Sequence, residues 1–302
     1  MENERSLTAT NAQDRLSEKV KEAKAKLDAS ELELAAFSQQ ADLLKSGESA
    51  DMSTLSAEKL AKADSELDVE LLHAQQRVLQ LRSLLAAGGD LSPKRLLAAY
   101  RQGIFPWFSE ADPILWWSPD PRCVIYPAQF SASRSLKKSL NKSGWMITVD
   151  QAFEAVITAC AAPRAYADDT WISPDIINSY TSLHRQGHAH SIEVWFEGEL
   201  VGGLYGVEVG ALFCGESMFS TKTDASKIAY WALTKIGVHA GWQLIDAQFE
   251  NPHLMSLGAR LISRVSYLEH LTSVRDQASF DWQDANQVLA SANFPVSRHV
   301  CQ

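Results

Sequence analysis

Every tryptophan and every proline of this 302-residue chain lies at or beyond Pro93, and the stretch from Met1 to Gly88 holds one aromatic residue, Phe37. A segment with one large ring has little with which to fill a core of its own, so the globular fold must be built from the remainder. The two regimes meet near Ala86 to Asp90. Upstream, Leu16, Val20, Ala23, Leu27, Ser30, Leu34, Phe37, Ala41 and Leu44 recur in alternating four- and three-residue steps, the seam of a heptad helix. Leu60, Leu67, Leu71, Ala74, Val78 and Leu81 form a second stripe, with residues 47–53 as the break between the two. A helical hairpin, a coiled coil through which the chain forms an oligomer, and a solvated, partly helical tail all fit this pattern. None of them suggests catalysis.

The 46% apolar content is enough for one large or two modest domains. Cys123, Cys160, Cys214 and Cys301 show neither paired spacing nor a CxxC element, which argues against a disulfide framework and a zinc ribbon and favours a reducing compartment. The N-terminus carries acidic residues in place of an apolar leader, and no run approaches the roughly 18 apolar residues a membrane helix needs, so a cytoplasmic location is expected. The net charge of −9 disfavours a general nucleic-acid binder, since such affinity comes from Lys and Arg neutralising phosphates. Any nucleic-acid site must be local. The density of Arg134, Lys137, Lys138 and Lys142 within about two helical turns makes that segment either a phosphate-binding patch or an ordinary solvated helix.

From Asp90 onward the pattern is mixed. Ser92-Pro93 starts a helix that stops at Gly103, and residues 151–161 and 174–185 also read as helices. Residues 190–196 alternate like a strand, 200–205 and 211–216 suggest a hairpin, 224–240 a helix, 243–249 a strand and 253–258 a short helix. The class is α+β with a largely antiparallel centre.

Four constellations could carry chemistry. Phe105, Trp107, Phe108, Trp116 and Trp117 crowd a proline-broken stretch, either to pack a core or to wall a binding site. Glu216 ends an apolar strand beside glycine and serine, as a satisfied strand-end residue or as the ligand of a cation, while Cys214 in the same strand reads as a buried thiol. Strand alternation places Asp246, Gln248 and Glu250 on one face, as a reaction surface or as the polar side of a half-exposed strand. His188 and His190 could share a strand face, but no third ligand accompanies them at a metal spacing.

Seven blocks then match one family in order: Leu84-Leu-Ala-Ala-Gly-Gly-Asp-Leu-Ser-Pro93, Gly103-Ile-Phe-Pro-Trp-Phe108, Trp116-Trp-Ser-Pro-Asp-Pro-Arg122, Thr170-Trp-Ile172, Gly187-His-Ala-His-Ser-Ile-Glu-Val-Trp195, Leu200-Val-Gly-Gly-Leu-Tyr-Gly206 and Leu212-Phe-Cys-Gly-Glu-Ser-Met-Phe-Ser220. Over roughly Leu84 to Leu271 the chain resembles bacterial leucyl/phenylalanyl-tRNA protein transferases. After a helical or partly disordered extension over 1–83, the resemblance implies a small N-terminal α/β subdomain over 84–125 and an N-acetyltransferase-like (GNAT) catalytic domain over 126–302. It implies transfer of Leu or Phe, and less well Met, from aminoacyl-tRNA to proteins beginning with Arg or Lys, within the N-end rule degradation pathway, with no metal or small cofactor. Asp246 and Gln248 match the family's reaction centre, with Asp246 expected to orient the Gln248 side chain. Trp107 and Trp171 match residues near the terminal adenosine, and Leu204 and Phe213 an apolar pocket. Glu216 and Ser217 match the substrate site, with Glu216 as a partner for the acceptor's cation, and Arg134, Lys137, Lys138 and Lys142 become tRNA contacts.

Two departures stand out. Upstream of Leu84 the chain has Gln80-Leu-Arg-Ser83 where the family carries aromatic and proline residues, and Leu204 stands where Met is common, a swap that preserves volume. The first leaves the expected N-terminal strand without an obvious counterpart. Two rival readings stand beside the transferase one. An acetyl-CoA-dependent acetyltransferase lacks its Arg/Gln-x-x-Gly-x-Gly/Ala pyrophosphate turn here, and a non-catalytic adaptor would use the heptad region as its binding element.

Overall fold

The computed structural model describes residues 83–109, 112–162 and 170–292, together with Ala25, Ala29, Leu32 and Ala35, which are helical and exposed. The seam expected over Leu16 to Leu44, the stripe over Leu60 to Leu81, the break between them and Cys301 lie outside the described residues. In chain order the elements open with β1 (Leu84–Ala87), α1 (Pro93–Tyr100), β2 (Phe105–Pro106), β3 (Leu115–Trp117), β4 (Arg122–Ile125), α2 (Arg134–Leu140), β5 (Trp145–Val149), α3 (Phe153–Ala161) and α4 (Pro174–Arg185). They continue with β6 (Ala189–Phe196), β7 (Glu199–Glu208), β8 (Phe213–Ser220), α5 (Ala225–His239), β9 (Ile245–Gln248), α6 (Pro252–Ser256), β10 (Arg260–Ile262), α7 (Arg264–Val274) and α8 (Ala285–Ser291).

The chain divides into two compact units, Met1–Gly88 with Leu115–Asp120, and Gly89–Ile114 with Pro121–Gln302. In the first, β1 and β3 pair antiparallel, with Leu84 opposite Trp117, and the Trp116 indole donates to the Gly88 carbonyl at 2.8 Å. The second holds a seven-stranded sheet in the order β10-β4-β9-β8-β7-β6-β5. All its pairs are antiparallel except β8 with β9. The α+β class with an antiparallel centre is therefore present. The strand β4, which lies before residue 126, is an inner strand of this sheet.

Glycines in β7 let helices approach the sheet on both sides. A Cβ on Gly202 would meet Ala225 of α5 at 2.5 Å, and one on Gly203 would meet Val156 of α3 at 3.2 Å. The helix α5 is apolar nearly all round and buries ten of its fifteen residues, as a helix sandwiched in a core must. Its packing with Ile192, Val194, Leu204, Phe213 and Ile245 makes one face of the sheet the main apolar core. On the opposite face Phe153, Tyr180 and Tyr205 pack ring to ring, with Phe153–Tyr205 and Tyr180–Tyr205 centroids both 5.8 Å apart.

The expected helices 151–161, 174–185 and 224–240 correspond to α3, α4 and α5, and the hairpin of β7 and β8 is longer than its sequence pattern suggests. The strands β4 and β5 bury residues on both faces, Val124 and Ile125 in one and Thr148 and Val149 in the other, so burial in neither follows a simple alternation. The first helix begins at Pro93 as expected, although Ser92 makes no side-chain cap and its own N–H is held by Asp90 Oδ1 at 3.0 Å.

A Cβ on Gly206 would meet the Phe213 ring at 2.5 Å and press on the backbone of Cys214. Gly206→Ala is therefore expected to cost about 1–3 kcal/mol in chemical denaturation, the range for overpacking a tight core. A change below about 0.5 kcal/mol would show that β7 and β8 are less closely held than the geometry indicates.

Candidate active site

The centre of the second unit is a buried ion pair. The Arg122 guanidinium at the start of β4 donates Nε to Asp246 Oδ1 at 2.8 Å and Nη2 to Oδ2 at 2.6 Å, and the two residues are 1% and 0% exposed. Its Nη1 donates to the Gly103 carbonyl at 3.0 Å, and its plane lies 4.3 Å from the Tyr267 ring and 5.0 Å from Phe105. The Tyr267 hydroxyl donates to Asp246 Oδ2 at 2.8 Å. A forked, fully hydrogen-bonded pair of this kind is the arrangement that makes buried charge tolerable. The paired carboxylate offsets the loss of hydration and holds the guanidinium proton more tightly than usual.

Asp246 also sets the backbone after it. Its Oδ1 accepts from the Gln248 N–H at 3.0 Å, and Gln248 sits at φ +55°, in the left-handed region, while only 7% exposed. Such a conformation costs a non-glycine residue roughly 1–2 kcal/mol and persists where surrounding contacts impose it. It also ends the strand. Glu250, expected on the same face as Asp246 and Gln248, is exposed beyond the turn, because the reversal at Gln248 breaks the two-residue alternation.

The strands β8 and β9 pair only at Phe213–Ile245 and Cys214–Asp246, after which β8 continues with β7 to Ser220 and β9 stays with β4. Glu216 lies just past that parting. On β7, Tyr205 faces Ser217 and Gly206 faces Gly215, so Glu216 is the extra residue of a β-bulge, a device that re-aims a side chain. Its Oε1 accepts from Gln248 Nε2 at 3.0 Å and its Oε2 from the Tyr180 hydroxyl at 3.2 Å, while Tyr180 and Tyr100 share a 2.5 Å hydroxyl contact. Lost hydration pushes the Glu216 carboxyl up to about 7. The charge of Asp246 acts in the same direction, against the hydrogen bonds from Tyr100 and Tyr180 and the charge of Arg122. Cys214 is fully buried beside Asp246, and lost hydration, reinforced by that carboxylate, holds its thiol well above the usual range, so it is a structural thiol as expected.

The expected site residues fall in several places. Asp246, Gln248 and Glu216 form one connected network, but Asp246 grips the Gln248 backbone, and it is Glu216 that holds the Gln248 side chain. Trp107 packs on Phe249, the residue after Gln248, with centroids 5.3 Å apart. Trp171 is half-buried just before α4, the helix that carries Tyr180, and Ser217 is the partner of Tyr205 across the hairpin. Leu204 and Phe213 are 3% and 0% exposed in the core under α5. Since Phe213 and Ile245 pair next to Cys214 and Asp246, they point to the other face of the sheet from the ion pair. Phe213 there stacks on Trp242 with centroids 5.6 Å apart and planes 14° from parallel. Arg134, Lys137 and Lys138 are exposed on α2, capped by Ser133, and Lys142 is exposed just after it. A cavity of about 350 Å³ lined by Tyr126, Phe130, Ser133, Lys227 and Tyr230 adjoins α2 and contains none of the reaction-centre residues. His190 Nδ1 donates to Asp150 Oδ2 at 2.7 Å, and the ring stacks on Trp282.

Arg122, Tyr267, Tyr100 and Tyr180 were not singled out from sequence. An arginine opening the otherwise apolar run Arg122-Cys-Val-Ile125 was the available signal, since such a charge must find a partner. The tyrosines come from helices distant in sequence, and no local pattern marks them.

Residues 89–120 match the family profile described as the leucyl/phenylalanyl-tRNA protein transferase N-terminal domain, and residues 124–272 match that of leucyl/phenylalanyl-tRNA protein transferase. A leucyl/phenylalanyl-tRNA–protein transferase from Shewanella piezotolerans is 55% identical over 202 residues, spanning 67% of this chain and 86% of the relative. The chain belongs to the leucyl/phenylalanyl-tRNA–protein transferase family. Another member, from Pseudomonas fluorescens strain SBW25, is 58% identical over 194 residues, 64% of this chain and 86% of that protein. Among solved structures, a GCN5-related N-acetyltransferase from Kribbella flavida matches at 10% identity and a TM-score of 0.27, over 53% of this chain and 57% of that one. As a member of the transferase family the chain is an enzyme that moves an aminoacyl group from tRNA to protein. Among the described residues no helix is long and apolar enough to cross a membrane.

The left-handed backbone at Gln248 makes a testable distinction. Both Gln248→Ala and Gln248→Gly remove the bond to Glu216, but only glycine relieves the φ strain, so the glycine variant is expected to be the more stable by about 1 kcal/mol. This order reverses the usual penalty for glycine in a strand. Equal denaturation midpoints, or alanine ahead, would show that Gln248 is not held in that conformation.

Proposed function

We propose that this enzyme transfers leucine or phenylalanine, and less well methionine, from aminoacyl-tRNA to the α-amino group of proteins that begin with arginine or lysine. In this reading it acts in the cytoplasm and marks its acceptors for N-end rule degradation. The reading is supported by the family relationship, and the observation that carries its chemistry is the connected set Asp246–Gln248–Glu216 at the parting of β8 and β9.

The aminoacyl ester is already activated, so the enzyme needs chiefly to bring it beside an amine and to manage one proton. Asp246 and Gln248 form the reaction centre, with Asp246 as a positioning residue held by Arg122 and Gln248 presenting its amide to the substrates. Trp107 and Trp171 offer ring faces on which a terminal adenosine can stack. Glu216 and Ser217 meet the acceptor's N-terminus. Arg134, Lys137, Lys138 and Lys142, all exposed, give the chain a local site for phosphates despite its net charge of −9. No metal or small cofactor takes part in this scheme.

Transfer of radiolabelled phenylalanine or leucine from charged tRNA to a protein with N-terminal Arg tests the proposal, with an N-terminal Glu protein as control, using the full chain and a version starting at Leu81. Labelling of the Arg protein alone is expected from the full chain. Substituting both Lys137 and Lys138 by Glu should raise the KM for tRNA at least tenfold and flatten its salt dependence, leaving kcat little changed. A folded full chain that labels neither protein would overturn the reading.

A further inference from the structure

The reaction has three polar groups at its centre, and the geometry separates their capacities. Both oxygens of Asp246 are taken by Arg122, Tyr267 and the Gln248 N–H, and the residue is 0% exposed, so it cannot reach a substrate without breaking the buried pair. Gln248 is a neutral amide, a very weak base, and its Nε2 is directed at Glu216. Glu216 is a second carboxyl, only partly buried, and the bulge in β8 turns it into the gap between the parted strands. We propose that Glu216 is the proton acceptor of the transfer, taking the proton of the acceptor protein's α-ammonium group while Gln248 and Tyr180 hold its carboxylate in place.

The proposal rests on the transferase reading and deepens it. At neutral pH an N-terminal amine is largely protonated, with a pKa of about 7.7–8.0, and cannot attack until it loses a proton. The groups facing Glu216 are Asp246 of β9, Arg122 of β4, Tyr100 of α1, Tyr180 of α4 and Cys214 of its own strand. Their balance, with lost hydration as the leading cause, leaves the carboxyl at about 7, within about one unit of the amine it would serve. Matched acid and base strengths of this kind are what efficient proton transfer requires.

One N–H proton passes from the α-ammonium to a Glu216 oxygen, and the freed lone pair attacks the ester carbonyl carbon, forming the C–N bond. The ester C–O bond then breaks, and the ribose oxygen of the tRNA leaves with its electron pair and takes a second proton from the same nitrogen. The products are the amide, the free ribose hydroxyl and a protonated Glu216, which returns its proton to solvent.

Glu216→Gln keeps the size of the side chain and removes its basicity. With Phe-tRNA and an N-terminal Arg peptide, the wild-type kcat/KM for the peptide is expected to rise with pH through an inflection near 7. The variant should be at least a hundredfold slower at pH 7, the lower end for general base catalysis, with an inflection displaced to the amine's own value near 8. Glu216→Asp, which retains a carboxylate, should recover part of the rate and the wild-type profile, whereas a purely structural role would leave it no better than Gln. Circular dichroism on each variant confirms that the folded protein is being compared. A rate within about threefold of wild type with an unchanged profile would overturn the proposal, as would a loss confined to KM, which would mark Glu216 as a cation-binding residue. Absence of transfer by the wild-type chain would instead overturn the transferase reading on which the proposal stands.

Discussion

The bidentate pair between Arg122 and Asp246 is the interaction on which the site depends. A guanidinium and a carboxylate that are both sealed from water are stable only together, and removing one partner from such a pair costs about 3–5 kcal/mol because the other is left charged and alone. The pair ties together pieces far apart in the chain. Arg122 belongs to β4, its third N–H is satisfied by Gly103, its plane is covered by Tyr267 of α7 and Phe105, and its partner opens the short strand β9. Geometry at the parting of β8 and β9 is inherited from this anchor.

Two consequences follow for chemistry. A carboxylate committed to a buried guanidinium, a tyrosine and a backbone N–H is a fixed post, and its function is to hold the left-handed turn that presents Gln248. The other carboxyl, Glu216, escapes the pairing of the hairpin through a bulge, and lost hydration raises it to about 7, so that at neutral pH it both accepts and releases a proton readily. Separating one carboxyl for position from another for proton affinity is a general way to obtain two functions from one residue type. Backbone strain at Gln248 is the local cost, and Asp150, Glu197 and Asp224 share the left-handed region outside the site.

Some of this was legible in the sequence. Alternation places Asp246 and Gln248 on one strand face, and both belong to one hydrogen-bonded network. Alternation fails at Glu250 because no local signal announces a left-handed glutamine, a conformation imposed by a carboxylate two residues earlier, itself held by an arginine 124 positions before that carboxylate. Cys214 reads as a buried thiol from its apolar strand, and it is one. Arg122 was visible inside Trp116-Trp-Ser-Pro-Asp-Pro-Arg122, yet its partner was not, because pairing across the sheet is a tertiary fact. The bulge at Glu216 was hidden for the same reason. Leu204 and Phe213 read as a pocket wall by resemblance, whereas alternation in the paired strands puts them beneath α5 on the far face from Asp246. Helix starts at Ser92-Pro93 and Ser173-Pro174 were readable since their signals are local.

Asp246 contributes to catalysis mainly by positioning Gln248. A double-mutant cycle on kcat for phenylalanine transfer, with Asp246→Asn, Gln248→Ala and both together, measured where all four proteins are folded, tests this most directly. Strong non-additivity is expected, with the double variant close to the slower of the two single variants, since without the Gln248 side chain Asp246 has little left to position. Losses that simply multiply would show Asp246 acting on the reaction independently, and would contradict it.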